Sequence, residues 1–395
     1  MSAVTGMGVV APNGDRAEDY WRAVLDGRSG LGPITHFDAG GYPVSWGGES
    51  SFTAKGRVPG RLVAETDRFT HMALAAAEMA LADADVDPAG LPEYEMAVTT
   101  ASSSGGTDFG QREIEKLWRN GPRHVGAYQS IAWFYAASTG QIAIRHKMRG
   151  PCGVVCAEQA GGLDAVAHSC RLLHGQVRLA LSGGTDASLC PYGLVAQLSN
   201  RRLSPSGTFL PFDARADGYL PGEGGAMFVI EPSDTKKTTY GYIAGHAATF
   251  DPPPWTDRPP GLRRAIEAAL ADAGAQPGDV DVVFADAAGV PELDRQEAEA
   301  VTAVFGPLAV PVTAPKTMTG RLYAGGAALD LATALLALRD QVIPPTVGIS
   351  DPVEEYGLDL VRDTPRQAPL RAALVLARGY GGFNSAIVVS VRTRP

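Results

Sequence analysis

A chain of 395 residues, 45% hydrophobic and 19% charged, can bury a large core and is too apolar to be disordered. Its formal net charge of −9 weighs against nucleic acid or an anionic lipid surface as the main partner. With 4 Cys, 7 His and no HExxH, GxSxG or GxxxxGK[ST] motif, the sequence offers no zinc-hydrolase, α/β-hydrolase or P-loop site.

The first residues, MSAVTGMGVVAPNG, have neither the basic start nor the apolar core of an export signal, so a cytoplasmic protein is expected. Gly6-x-Gly8-x-x-Ala11 is similar to a dinucleotide fingerprint, but Pro12 and Asn13 stand where its helix should run, and no nucleotide site is expected. Helical periodicity follows over 15–25 and 67–84, and the apolar run 96–100 reads as a buried strand. Helices over 107–119 and 139–146 lead to a strand over 153–156, a small-residue helix over 161–173, and strands over 178–182 and 226–230. Residues 231–240, EPSDTKKTTY, are the one polar, charged break near the middle, and they divide the chain into halves of 1–235 and 236–395. Five prolines within 251–260 make that stretch a loop, because proline neither donates to a ladder nor continues a helix. Beyond it come a helix over 261–273, a strand over 281–285, helices over 294–305 and 326–338 with a strand over 310–313 between them, and strands over 372–377 and 385–390.

This alternation is that of an α/β fold with largely buried strands. In each half a β-branched strand runs through a tight connection into a small-residue helix, 153–156 into 161–173 and 310–313 into 326–338, which suggests an internal duplication. The most membrane-like stretch, 325–338, contains Asp330 and falls short of the ~20 apolar residues a span needs. Cys152, Cys156, Cys170 and Cys190 form no CxxC pair, which fits reduced thiols. His168, Cys170 and His174 fall on one helix at spacings that share no face, so no metal site is expected.

Residues 154–165, VVCAEQAGGLDA, are built differently. A buried strand enters a turn and then a helix opened by Ala160, Gly161 and Gly162, whose lack of bulk permits close approach. A turn of this kind displays its residue at a helix N-terminus, where the dipole favours a nucleophilic anion. Here that residue is Gln159, whose amide hydrogen-bonds but cannot attack a thioester.

This segment resembles the active-site region of β-ketoacyl synthases, with Gln159 at the position of their acylated cysteine. Further blocks match in order: VTGMGVVAPNG; Pro211-Phe212-Asp213 through Asp217-Gly218-Tyr219 to Gly222-Glu223-Gly224; Pro315-Lys316-Thr317-Met318-Thr319-Gly320; and Gly379-Tyr380-Gly381-Gly382-Phe383-Asn384. The resemblance implies a thiolase-like α/β fold, two pseudo-duplicated βαβ halves in a layered αβαβα arrangement, with no cofactor. It also implies that Asp213 and Glu223 hold loops through backbone hydrogen bonds.

The departures from that family pattern bear on function. Ala288 and Arg321 stand at its two catalytic histidine positions, while Lys316 is kept. Losing one acid–base group costs ~10²–10⁴-fold, and losing the nucleophile removes the acyl-enzyme route. The set Gln159, Ala288 and Arg321 is similar to the chain length factors, or ketosynthase β subunits, of type II aromatic polyketide synthases. That resemblance implies a heterodimer with a catalytic ketosynthase α subunit, an acyl carrier protein as further partner, and a tunnel for a poly-β-ketone intermediate. Thr107, Gly110 and Ile114 fall at i, i+3 and i+7 on one helix face, and with Tyr192 they are the expected tunnel residues. Two of the three on the helix are small, which suits a decaketide or longer product. Arg321 reads equally as a structural ion-pair partner. The alternative function is a malonyl-carrier-protein decarboxylase that primes the synthase; a scaffold unrelated to polyketides fits the motifs less well.

Overall fold

The computed structural model describes residues 1–253 and 255–391; Pro254 of the proline-rich loop lies outside them. Eleven strands form one mixed sheet: β1 (Ser2–Val10), β2 (Met96–Ala101), β3 (Cys152–Val155), β4 (Leu179–Asp186), β5 (Gly224–Pro232), β6 (Gly241–Phe250), β7 (Val282–Phe284), β8 (Pro311–Thr313), β9 (Asp359–Leu360), β10 (Ala372–Gly379) and β11 (Phe383–Ser390). Among the described residues, the helices of eight residues or more are α1 (Ala17–Leu25), α2 (Arg68–Asp83), α3 (Thr107–Asn120), α4 (Ala137–His146), α5 (Gly161–Leu172), α6 (Pro191–Leu198), α7 (Leu262–Ala273), α8 (Pro291–Phe305) and α9 (Ala324–Asp340).

The sheet order is β9-β8-β7-β10-β11-β6-β1-β5-β4-β2-β3. From β3 inward to β1 the neighbours pair parallel, parallel, antiparallel, antiparallel, and from β8 inward to β6 they do the same. Each half thus repeats one five-stranded plan, and the two meet where β1 pairs antiparallel with β6 over Ser2–Ile243, Ala3–Tyr242 and Val4–Gly241. Helices α5 and α9 pack against strands of both halves, α2 and α4 cover the outer face of the first, and α7 covers that of the second with α8 beside it. The layers therefore run helix, sheet, helix, sheet, helix.

Local chemistry explains these placements. From Ala324 to Leu338 every residue of α9 is buried, as expected of a helix apolar on all sides that occupies a central layer. The one acid within that buried stretch, Asp330, pairs with Lys316 at 2.8 Å. The glycines of the GxGxxA-like opening lie in β1 and face α2: a Cβ at Gly8 would stand 2.0 Å from the Ala76 carbonyl oxygen, and one at Gly6 2.3 Å from that of Ala80. Their function is close strand-to-helix packing. Asp67 caps α2 by accepting from the Phe69 amide at 3.2 Å.

Four elements have no counterpart in the sequence expectations: β1, β6, α6 and the two-residue β9. β1 is a strand along its whole length. β6, GYIAGHAATF, holds two Gly and three Ala and carries little β-propensity of its own; its pairing with β1 and β11 supplies the order. α6 starts with Pro191 at its first position, and the Cys190 thiol caps it by accepting from the Gly193 amide at 3.3 Å. No helix among the described residues is long and apolar enough to cross a membrane.

Candidate functional site

Strand β3 runs into a sharp turn at Glu158, held at φ 51°, and Gln159 follows at the head of α5. The turn has the expected form, but it does not display Gln159. That side chain is fully buried, its carboxamide lies under α9, and a Cβ at Gly326 would stand 2.6 Å from both its Nε2 and its Oε1. Neither amide atom has a hydrogen-bond partner. Tight packing of α9 on the turn seals the amide in; motif position alone carries no information on that depth.

Arg321 and Ala288 line one small cavity, and both are buried. The guanidinium reaches the Asp286 carboxylate through Nη2 at 3.1 Å and Nη1 at 3.2 Å, donates to the Arg378 carbonyl, and stands 5.5 Å from the centre of the Tyr219 ring. Its Nε is 3.9 Å from Glu158 Oε1. Lys316 Nζ donates to the Asp286 carbonyl at 2.8 Å. Burial pushes the Asp286 carboxyl up, but the adjacent Arg321 and Lys316 charges outweigh it and hold the group below the usual carboxylate range. Arg321 is therefore a structural ion-pair partner. The cavity that Ala288 and Arg321 line with Glu158 and Tyr219 measures about 40 Å³, far below the ~300 Å³ at which small-molecule pockets begin.

The loop-holding acids are where they were expected. Glu223 accepts from the Ser50 amide at 3.0 Å and pairs with Arg68 at 2.6 Å. Asp213 accepts from the Ser350 and Asp351 amides at 3.1 and 2.9 Å. Against the upward push of burial, Arg215 and the Asp351 amide hold its carboxyl at about 2.

A second cavity, of about 230 Å³, opens between α3 and α6. Thr107, Ser104, Ser188, Gly193, Tyr323 and Tyr380 are among its walls. Beneath it, fully buried Asp186 accepts from the Ser103 and Ala324 amides at 3.1 and 3.0 Å.

Of the four expected tunnel residues, Thr107 alone lines this cavity. Thr107 and Gly110 are buried on α3, Ile114 is half-exposed one turn further on, and half-exposed Tyr192 faces them from α6, where its amide donates to Gln111 Oε1 at 2.6 Å. The room beside Gly110 is not empty. The Trp133 ring occupies it, and the ring centres of Trp133 and Tyr192 are 5.8 Å apart. Trp133 was not foreseen; the glycine pattern at 105, 106 and 110 is the signal that marks its seat. Asp67 also accepts from the Phe109 amide at 2.7 Å, which ties the start of α3 to that of α2.

Around these residues lies an apolar face without a cover: Leu117, Trp118, Ile131, Phe134, Tyr135 and Val195 are all exposed. Strand β3, the outermost of its half, lies at the edge of the sheet. An unpaired strand edge and an apolar patch are features that a partner surface buries.

Comparison with known proteins agrees with this geometry. The β-ketoacyl synthase N-terminal domain model matches residues 3–236, and the C-terminal domain model residues 240–350. The chain is 60% identical over 397 residues to the tetracenomycin polyketide synthase ketoacyl synthase beta subunit of Streptomyces glaucescens, covering 98% of this chain and 97% of that one. It is 54% identical over 396 residues to the actinorhodin polyketide putative beta-ketoacyl synthase 2 of Streptomyces coelicolor, with 98% and 97% covered. Among solved structures, the ishigamide ketosynthase/chain length factor superposes with a TM-score of 0.92 at 25% identity over 99% of each chain. A β-ketoacyl synthase from Burkholderia phymatum shares the fold, with a TM-score of 0.91 at 22% identity over 100% of this chain and 99% of that one. A fold in five layers, a turn built for a nucleophile and loops held by Asp213 and Glu223 thus have one common explanation: the chain belongs to the β-ketoacyl synthase family.

Proposed function

We propose that the chain is the non-catalytic, chain-length-setting subunit of a heterodimeric ketosynthase in aromatic polyketide biosynthesis. A catalytic α subunit supplies the cysteine and histidines, an acyl carrier protein delivers the extender units, and the growing poly-β-ketone extends into a chamber at the interface. The observation that carries this reading is the filled catalytic centre: Gln159 is sealed under α9, and the Arg321–Asp286 pair occupies the ground that acid–base groups would need. The exposed apolar face beside α3 supports a partner there, and kinship with polyketide β subunits supports its being a ketosynthase. Thr107, Gly110, Ile114 and Tyr192 line the chamber in this reading, for a product of decaketide length or longer. The protein works in the cytoplasm.

Decarboxylation of malonyl carrier protein by this chain alone fits less well. The cavity beside Ala288 measures only about 40 Å³, and the buried Gln159 amide that would polarise the thioester carbonyl is not among its walls. The test is reconstitution. Incubated alone with malonyl carrier protein, the chain takes up no acyl group and releases no CO2. With its α subunit and carrier protein, Gly110→Thr combined with Thr107→Phe shortens the product by one or more two-carbon units in mass spectrometry. CO2 release by the isolated chain, or an unchanged product from the double variant, overturns the reading.

A further inference from the structure

Thr107, Gly110 and Ile114 share one face of α3, and an indole takes up the space over the middle of that face. A Cβ at Gly110 would stand 2.4 Å from Cε3 and 2.5 Å from Cζ3 of Trp133. Two more glycines seat the same segment. A Cβ at Gly106 would lie 2.1 Å from the Ala132 carbonyl oxygen, and one at Gly105, left-handed at φ 63°, 2.4 Å from that of Trp133. On its other side the indole meets Tyr192, with the ring planes tilted by 37°. Glu113, buried on α3, accepts from the Gly126 amide and from Lys116, which anchors to the helix the connection that carries the tryptophan. The missing side chains at 105, 106 and 110 therefore leave no void. They admit one particular bulky ring.

Resting on the length-setting reading above, we propose that Trp133 is the specificity-determining residue at the closed end of the chamber. Its indole, seated on Gly110 and against Tyr192, is the wall that the far end of the poly-β-ketone meets. Thr107 and Ile114 flank that wall, and Gly110 acts through the ring it admits. Two aromatic faces suit a chain of flat, enolisable 1,3-diketone units, which present π-faces more than bulk. An indole has roughly three times the heavy atoms of one –CH2–CO– unit, and interiors are close-packed, so its removal makes room for on the order of one to three further units.

The experiment compares wild type, Trp133→Leu and Trp133→Ala, each co-purified with the α subunit and supplied with carrier protein and malonyl groups, with Thr107→Phe alone as the control, because a side chain at Gly110 would displace the indole itself. Product length is read by mass spectrometry, separately from total turnover. The share of product longer than the wild type's rises roughly tenfold or more in Trp133→Ala, the discrimination a methylene-sized misfit carries, and by less in Trp133→Leu. Unchanged length in both Trp133 variants, with the control shortened, overturns the role of Trp133 and leaves the length-setting function standing. An unchanged control overturns that function itself. If Trp133→Ala does not co-purify, Trp133→Leu decides the matter, because it keeps an apolar side chain on the glycine seat.

Discussion

Arg321 and Asp286 form a buried ion pair beside Ala288, and the energetics of their pairing explain how two charges persist there. A buried guanidinium is tolerable only with its charge met and its donors occupied, and Arg321 has both a carboxylate and a main-chain carbonyl in reach. A second buried acid gives a measurable signature. Burial pushes the Asp186 carboxyl up to about 7 against the pull of Ser103 and the Ala324 amide. The folded chain therefore keeps a proton that an unfolded aspartate releases near ~3.9, so this group's contribution to stability falls as pH rises from about 4 to about 7 and is level above. Asp186→Asn keeps the acceptor for both amides and removes the titration. Melting temperature followed across that range should show a shallower decline in the variant; an unchanged slope would show that Asp186 does not titrate there. The replacements at 159, 288 and 321 were legible because they sit in ordered motifs. The burial of Gln159 was not, since it depends on a helix more than 150 residues downstream.

Helix α9 is the element on which the centre is built, and Gly326 is its point of contact with the turn. A methyl group at Gly326 would press on an amide that has no room to yield, which costs ~1–3 kcal/mol by overpacking. Alanine's better helix propensity returns up to ~1 kcal/mol. Gly326→Ala should therefore lower the urea midpoint in the wild-type background and be neutral or stabilising in a Gln159→Ala background. An equal cost in both backgrounds would mean that the two residues are not coupled. At this scale the sequence was most informative about helices with strong periodicity: α2, α3, α5 and α7 lie within three residues of their expected bounds. It was least informative about β6 and α6. Pairing partners far along the chain determine the first, and a proline start disguises the second. The seat of Trp133 belongs to the same class, because a glycine reveals an absence and only the fold reveals what fills it.

At the scale of the whole molecule, a group of exposed apolar residues lies on and beside α3, namely Leu117, Trp118, Ile131, Phe134, Tyr135 and Val195, and the most exposed of these is Trp118, at 83%. Tryptophan at such a site is a typical binding hot spot. Trp118→Glu should weaken association with the α subunit by roughly tenfold or more, about 1.4 kcal/mol or above. The stability of the isolated chain should stay within ~0.5 kcal/mol of wild type, because nothing in the fold depends on that ring. Titration calorimetry on the pair and urea denaturation of the single chain separate the two; undiminished association would exclude α3 from the interface.

The seam between the halves also constrains how the chain is made. Strand β1 lies between β5 and β6, and its partners for Ser2 are Pro232 and Ile243. At ~5–20 residues per second on the ribosome, β1 waits on the order of ten to fifty seconds before either neighbour has been synthesised. Throughout that interval a nine-residue apolar strand is exposed to chaperones and to other nascent chains. The first of the eleven strands in chain order thus finds its neighbours only after the chain has passed its midpoint, and closing that seam joins two repeats into one body.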